Sequence, residues 1–313
     1  MDKKVCGILL SVKNSFSNNL DAKGNYQFTM NEGIFKEYCN SNECDNNLKK
    51  INAGCLYLLD AFFKDNSVFN SVAKSNINIV DYIMIWLSYV LNLIKNEYND
   101  SIQFFYNSYV KGDNKYKVSI AKGTGYSNYK ELIEKKNLMN MNIKDISKLY
   151  NAFTTLCMMH LEFDKQKPNC NKYLNNAKNF VDQYKKLKQD TSITENNSYT
   201  QLLCTLSTDY DNFKKKYDDI QSCNSSPLPT IEKPEKCIQS FERSSQLILE
   251  KLSEDAPSSS STASKLFIVL SLFGAIAFFL GISYKYSLFG FRKRFQKQKL
   301  REKLKNIKKR MNQ

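Results

Sequence analysis

The residues of this 313-residue chain best equipped for chemistry are nine cysteines: Cys6, Cys39, Cys44, Cys55, Cys157, Cys170, Cys204, Cys223 and Cys237. A thiol can bridge, hold a metal or attack a substrate. Metal binding needs ligands at short spacing, yet there is no Cys-x-x-Cys and only one histidine, His160. A zinc site is therefore not expected, and neither is any cofactor. A single imidazole also disfavours His-dependent triads. Gly123-Thr124-Gly125 lacks the preceding strand and the Lys-Ser/Thr end that a phosphate loop requires. Asp218 and Asp219 are adjacent and expected to be solvated on a helix. No nucleophile elbow is present, so no enzyme is expected. Bridging is what remains. Cys39 and Cys44 are close enough to pair locally, and Cys223 and Cys237 flank a proline-containing loop and can do the same. The connectivity stays open, and an odd count leaves at least one thiol outside any intramolecular bridge.

The placement of the cysteines points to a membrane. All nine precede Leu266–Tyr284, LFIVLSLFGAIAFFLGISY, and none follows it. This run is uncharged and framed by Lys265 and Lys285. At about 1.5 Å per residue its length approaches the hydrocarbon thickness of a bilayer. The small residues Gly274 and Ala277 are of the kind that membrane helices tolerate. Arg292, Lys293, Arg294, Lys297, Lys299 and Arg301 follow the run closely, whereas 256–264 has no charge. Positive-inside bias then puts the C-terminus in the cytoplasm and residues 1–225 in an oxidising space outside or in a lumen. The N-terminus, MDKKVCGILLSVKN, fits poorly, being too weakly apolar for a signal peptide. Either an unconventional route exists or the orientation is reversed.

The same tail carries most of the charge. The chain has 46 basic and 31 acidic residues, net +15, but 12 of the basic residues and only Glu302 among the acids lie between Lys285 and Gln313. The rest of the chain is close to neutral, and arginines are few. A nucleic-acid-binding face loses its support. Phe295, Leu300, Leu304, Ile307 and Met311 recur along one side of the tail. This pattern predicts a basic amphipathic helix suited to the anionic inner leaflet of a bilayer.

The elements before the span read as helices. Apolar positions recur at helical spacing over Leu48–Phe63, with Asp60 and Lys64 set for the wet face. Ile77–Ile94 is apolar nearly all round. Asp81 inside it argues for a buried core helix rather than a second span, with Trp86 in the core. Further helices are expected over Asp100–Tyr109, Ser127–Glu134, Asn142–Glu162, Cys170–Lys188 and Tyr199–Asp219. His160 is expected to be solvated or at the core edge. Strand alternation and hairpin turns are scarce. The fold class is therefore all-α: a helical ectodomain over 1–225, a disordered Pro/Ser linker and stalk over 226–264 (SSPLPTIEKPEK, then EDAPSSSSTAS), one transmembrane helix over 265–285, and a basic cytoplasmic tail over 286–313.

Four segments carry a resemblance: GCLYLLDAFF (Gly54–Phe63), YIMIWLSYVL (Tyr82–Leu91), LLCTLSTDYDNFKKKYDDIQ (Leu202–Gln221) and YKYSLFGFRKRFQKQKLREKLKNIKKRMNQ (Tyr284–Gln313). With them the chain resembles the Plasmodium interspersed repeat (PIR) family of variant proteins of malaria parasites nearly end to end. The last segment is similar to the C-termini of the rodent-malaria branch. The resemblance implies single-span, largely helical proteins without enzyme activity, at the infected red cell surface or the parasite and vacuole boundary. It links them to antigenic variation and immune evasion, most members having no assigned molecular partner; for this chain a host cell receptor or antibody is expected as partner. Members often lack a standard signal peptide. Cys6, Cys39 and Cys55 match family positions, and pairing among them is expected. The leading expectation is a membrane-anchored variant surface antigen. The alternative is a membrane-tethered scaffold or trafficking protein whose helical domain faces the cytosol.

Overall fold

Asparagine caps five of the described helices, because its side-chain oxygen accepts the backbone N–H groups that a helix N-terminus leaves unpaired. The computed structural model describes residues 1–17, 20–29, 32–39, 43–94, 101–190, 194, 196–235 and 237. All of these belong to the unit Met1–Ser245. The apolar run, its flanks Lys265 and Lys285, most of the stalk, and the tail residues Arg292, Lys293, Arg294, Lys297, Lys299 and Arg301 lie outside the described residues.

The helices run in chain order as α1 (Lys3–Ser15), α2 (Glu32–Lys36), α3 (Asn47–Phe63), α4 (Asn66–Ser71), α5 (Ile79–Leu93), α6 (Ile102–Phe105), α7 (Tyr129–Glu134), α8 (Ile143–Ser147), α9 (Tyr150–Glu162), α10 (Cys170–Gln189) and α11 (Asn197–Asp218). Asn46, Asn128, Asn142, Asn169 and Asn196 cap α3, α7, α8, α10 and α11 through their side chains. Asp2 does the same for α1. Among the described residues there is no strand, only isolated bridges such as Phe16 to Phe28.

α5 is the central element. Twelve of its fifteen residues are buried, and α3, α8 and α9 pack on it. It rises about 22 Å at 1.5 Å per residue, too short for a bilayer. No helix among the described residues is long and apolar enough to cross a membrane. Trp86 is buried, with the Phe16 ring edge-on at 5.7 Å between centroids. α1 lies on α9, and α9 lies on α10. The N-terminal stretch weighed above as a leader thus forms a core helix, burying Val5, Cys6, Leu9, Leu10 and Val12.

Two helices expected to be continuous are not. Asn142–Glu162 divides into α8 and α9 at Lys148-Leu149, where the Leu149 N–H reaches back only to the Ile146 carbonyl. Ile143, Ile146 and Leu149 are all buried. Their three-residue spacing aligns on a turn of three residues rather than 3.6. The helix expected over Asp100–Tyr109 begins at Ile102, and its second half widens into a π-turn, Tyr106–Val110. Asp100 lies outside the described residues.

Candidate functional site

Four disulfides tie the helices into a frame. Cys6 on α1 bonds Cys157 on α9, with Cα atoms 5.0 Å apart. Cys39 bonds Cys44 across a short loop after α2. Cys170 at the start of α10 bonds Cys223 just past α11. Cys204 on α11 bonds Cys237. Among the described residues, which include every cysteine, Cys55 on α3 is the one free thiol, and it is fully buried. Burial pushes it up to about 12, so it holds its proton and cannot act as a nucleophile.

These pairings correct two expectations. Cys6, Cys39 and Cys55 do not pair with one another. Each sits on a different element, and Cys55 faces the α3 core where no other cysteine reaches. Cys223 and Cys237 do not close their own loop either, because the chain between them runs the length of α11. The Tyr217 hydroxyl donates to the Ser226 carbonyl at 2.6 Å, and the Tyr210 hydroxyl donates to the Pro229 carbonyl at 2.6 Å. Lys233 reaches Asp211 at 2.6 Å, and Lys188 on α10 reaches Glu232 at 2.8 Å. The strap is therefore antiparallel to α11, and its two cysteines stand at opposite ends, about 20 Å apart by helical rise. The proline-rich segment begins as a pinned part of the body. The described residues Ser226, Pro229, Glu232, Lys233 and Cys237 are thus each bonded to α10 or α11.

Beneath the frame, α5 and α11 share a buried polar network. The Thr205 hydroxyl donates to Asp81 Oδ2 at 2.6 Å, and Lys136 Nζ lies 2.8 Å from Asp81 Oδ1. One turn along α11, Asp209 accepts the Tyr82 hydroxyl at 2.7 Å and pairs with the Met1 ammonium. Burial raises the Asp81 carboxyl despite Lys136. A carboxylate inside an apolar helix demands such partners. Asp81 gave that signal in the sequence. Thr205 and Asp209, four residues apart on the apolar side of α11, gave it too but were not singled out.

Two polar residues behave differently from expectation. His160, expected to be solvated or at the core edge, is 4% exposed and edge-on to Phe213 at 5.2 Å. Burial, then the Met1 ammonium and Lys216, lower it to about 3. Its Nε2 has no partner among the described residues. A neutral imidazole on an aromatic edge is core filling, not a ligand or base. Asp60, expected on the wet face, accepts the Tyr129 hydroxyl at 2.6 Å and the Tyr38 hydroxyl at 3.0 Å. Asp218 and Asp219 are exposed as expected, pairing with Lys214 and Lys165. Gly123-Thr124-Gly125 is a tight turn with Gly125 at φ +76°. No group of three or more His, Cys, Asp or Glu side chains is placed to hold a metal among the described residues.

The described body is helical and disulfide-bonded. The family described as Plasmodium variant antigen protein Cir/Yir/Bir matches residues 6–285. The chain belongs to this family. A solved structure described as that of a Plasmodium PIR protein ectodomain is similar to it at 30% identity and a TM-score of 0.54, covering 74% of this chain and 99% of that one. No curated protein matches. The Cir/Yir/Bir match takes in α2 to α11 in full, all nine cysteines and the apolar run to Lys285, but not the basic tail beyond it.

Proposed function

We propose that the protein is a membrane-anchored variant surface antigen whose helical body faces the host and serves in antigenic variation and immune evasion. One observation carries this reading: the family match extends without interruption from the disulfide-bonded body through the apolar run. The body and a membrane-length segment therefore belong to one pattern. The similar solved structure is described as an ectodomain, and nearly all of it is covered by this chain. Four bridges in the body suit an oxidising compartment. They count against a scaffold or trafficking protein whose helices face a reducing cytosol. The anchor is Leu266–Tyr284 between Lys265 and Lys285, with the basic tail on the cytoplasmic leaflet.

The test is topology in infected cells. One epitope tag is placed in the stalk between Pro257 and Ser264, and another after Gln313. Protease is applied to intact cells, then to cells with only the host membrane opened. Cleavage in intact cells that releases the helical body and spares the C-terminal tag is the expected result. Cleavage only after opening moves the site of action to the parasite boundary. Protection of the body in both states overturns the outward orientation and returns the scaffold reading.

A further inference from the structure

The strap that follows α11 is clamped covalently at both ends, at Cys223 to Cys170 and at Cys237 to Cys204. We propose that the second bond is a latch. The strap stays docked on α10 and α11 while Cys204–Cys237 is closed, and it leaves them when the bond is opened, with the helical body intact. The inference goes beyond the function proposed above and does not depend on which way the body faces.

The strap makes few contacts for its length. Asn224–Pro234 form neither helix nor strand, and Pro227, Pro229 and Pro234 have no N–H to donate. Among the described residues, no backbone N–H from Leu228 to Lys233 bonds another backbone group. Within Asn224–Pro234 only Leu228 is buried, and Ile231 packs partly against the core. The rest is polar: the Tyr217 and Tyr210 hydroxyls on the Ser226 and Pro229 carbonyls, and the ion pairs of Glu232 and Lys233. The Glu232 side chain is 89% exposed, so salt and water screen its pair with Lys188. Against these contacts stands the conformational freedom of the whole segment, which each ordered residue gives up. A closed Cys204–Cys237 bond confines the undocked strap to a loop held at both ends and removes much of that freedom in advance. An open bond restores it.

The helices beneath do not need the strap. Tyr210 stacks on Phe180 of α10 with centroids 4.9 Å apart, and Tyr217 stands edge-on to Tyr173 of α10 at 6.2 Å. The Cys170–Cys223 bond ties the same two helices at the other end. When the strap leaves, the Tyr210 and Tyr217 hydroxyls and the Asp211 carboxylate pass to water, so no buried polar group is stranded. A dithiol opens the latch. One of its thiolates attacks a sulfur of the bond and forms a mixed disulfide, and its second thiol displaces the protein sulfur. Cys204 and Cys237 end as protonated thiols, reduced by two electrons, and the dithiol leaves as a disulfide. One chain thereby has two surfaces over α10 and α11, one covered by the strap and one lined by bare tyrosines.

The test uses the full-length chain in amphipol and hydroxyl-radical footprinting read by mass spectrometry, which reports side-chain exposure. The parent is compared with Cys204→Ala/Cys237→Ala. Oxidation of Leu228 and Tyr210 is expected to rise by about threefold or more in the variant, while Trp86 in the core stays protected. Parent protein treated with limiting dithiothreitol, alkylated and sorted by which cysteines carry the label gives the same comparison without a substitution. Molecules labelled at Cys204 and Cys237 alone should match the variant. Circular dichroism reports the helices in each sample. Unchanged protection of Leu228 with the bond open overturns the proposal, because the strap then holds by its own contacts. Loss of helix, or exposure of Trp86 along with Leu228, overturns it as well, because the bond then supports the body rather than latching the strap.

Discussion

At the scale of single residues, close packing around Trp86 sets the tolerance of the core. A Cβ on Gly54 would meet Trp86 Cη2 at 2.7 Å and the Phe16 ring at 3.2 Å. Gly54→Ala gains about 1 kcal/mol of helix propensity, but overpacking a buried indole costs about 1–3 kcal/mol. A net loss of stability in urea titration is expected, and Gly54→Val should lose more. His160 makes stability depend on acid. Its folded value, about 3, lies below the ordinary 6.5. Between those values the unfolded chain takes up a proton that the folded chain refuses. The stabilisation is therefore complete above pH 6.5 and is lost as pH falls towards 3. His160→Gln should flatten that fall, read as a smaller drop in urea midpoint between pH 7 and 4.5 than in the parent. Asp81 has the opposite sign. Its raised carboxyl contributes most below the unfolded value of 3.8, and the contribution is lost as pH rises through the folded value. Lys136→Met removes its ion pair and should cost about 3–5 kcal/mol at pH 7. Asp81 was legible in the sequence as a charge in an apolar run. His160 was not, because one polar residue near a helix end gives no periodic signal to say which way it points.

At the scale of elements, the disulfides should rank by the loops they close. Loop-closure entropy gives about 5 kcal/mol for Cys6–Cys157, about 4 for Cys204–Cys237 and about 2 for Cys39–Cys44. Paired Cys→Ala variants compared by urea denaturation should follow that order. A Cys39/Cys44 variant as costly as the Cys6/Cys157 one would contradict the ranking. Most of the helices were legible because α3, α5, α10 and α11 are long and strongly patterned. The break between α8 and α9 was not, since neither glycine nor proline marks it and only three buried side chains impose it. The π-turn after α6 was hidden for the same reason. Asparagine side chains supply most of the helix caps. The connectivity of the cysteines depends on which helix lies beside which, and sequence spacing does not carry that. Only the five-residue Cys39–Cys44 loop could be paired from spacing, whereas Cys223 and Cys237 misled because the strap runs straight rather than folding back.

At the scale of the molecule, all nine cysteines are accounted for by four bonds and one buried thiol. Non-reduced protein should therefore show no reactive thiol when folded and one per chain in denaturant, measured by Ellman titration. More than one would mean that the frame is incomplete. Family membership was legible from the segments Gly54–Phe63, Tyr82–Leu91 and Leu202–Gln221, which contain the α3, α5 and α11 patterns and lie inside the family match. The Cys204–Cys237 bond also has a mechanical consequence. Tension entering from the C-terminal side of Cys237 passes through sulfur directly into α11 at Cys204. The Cys170–Cys223 bond overlaps it, so the strap between Cys223 and Cys237 also carries load and passes it to α10 at Cys170. Together the two bonds withhold the residues between Cys170 and Cys223, about 180 Å of contour length at roughly 3.4 Å per residue, until they are reduced. A pulled chain would therefore lengthen in two regimes, and a reductant, not force, would separate them.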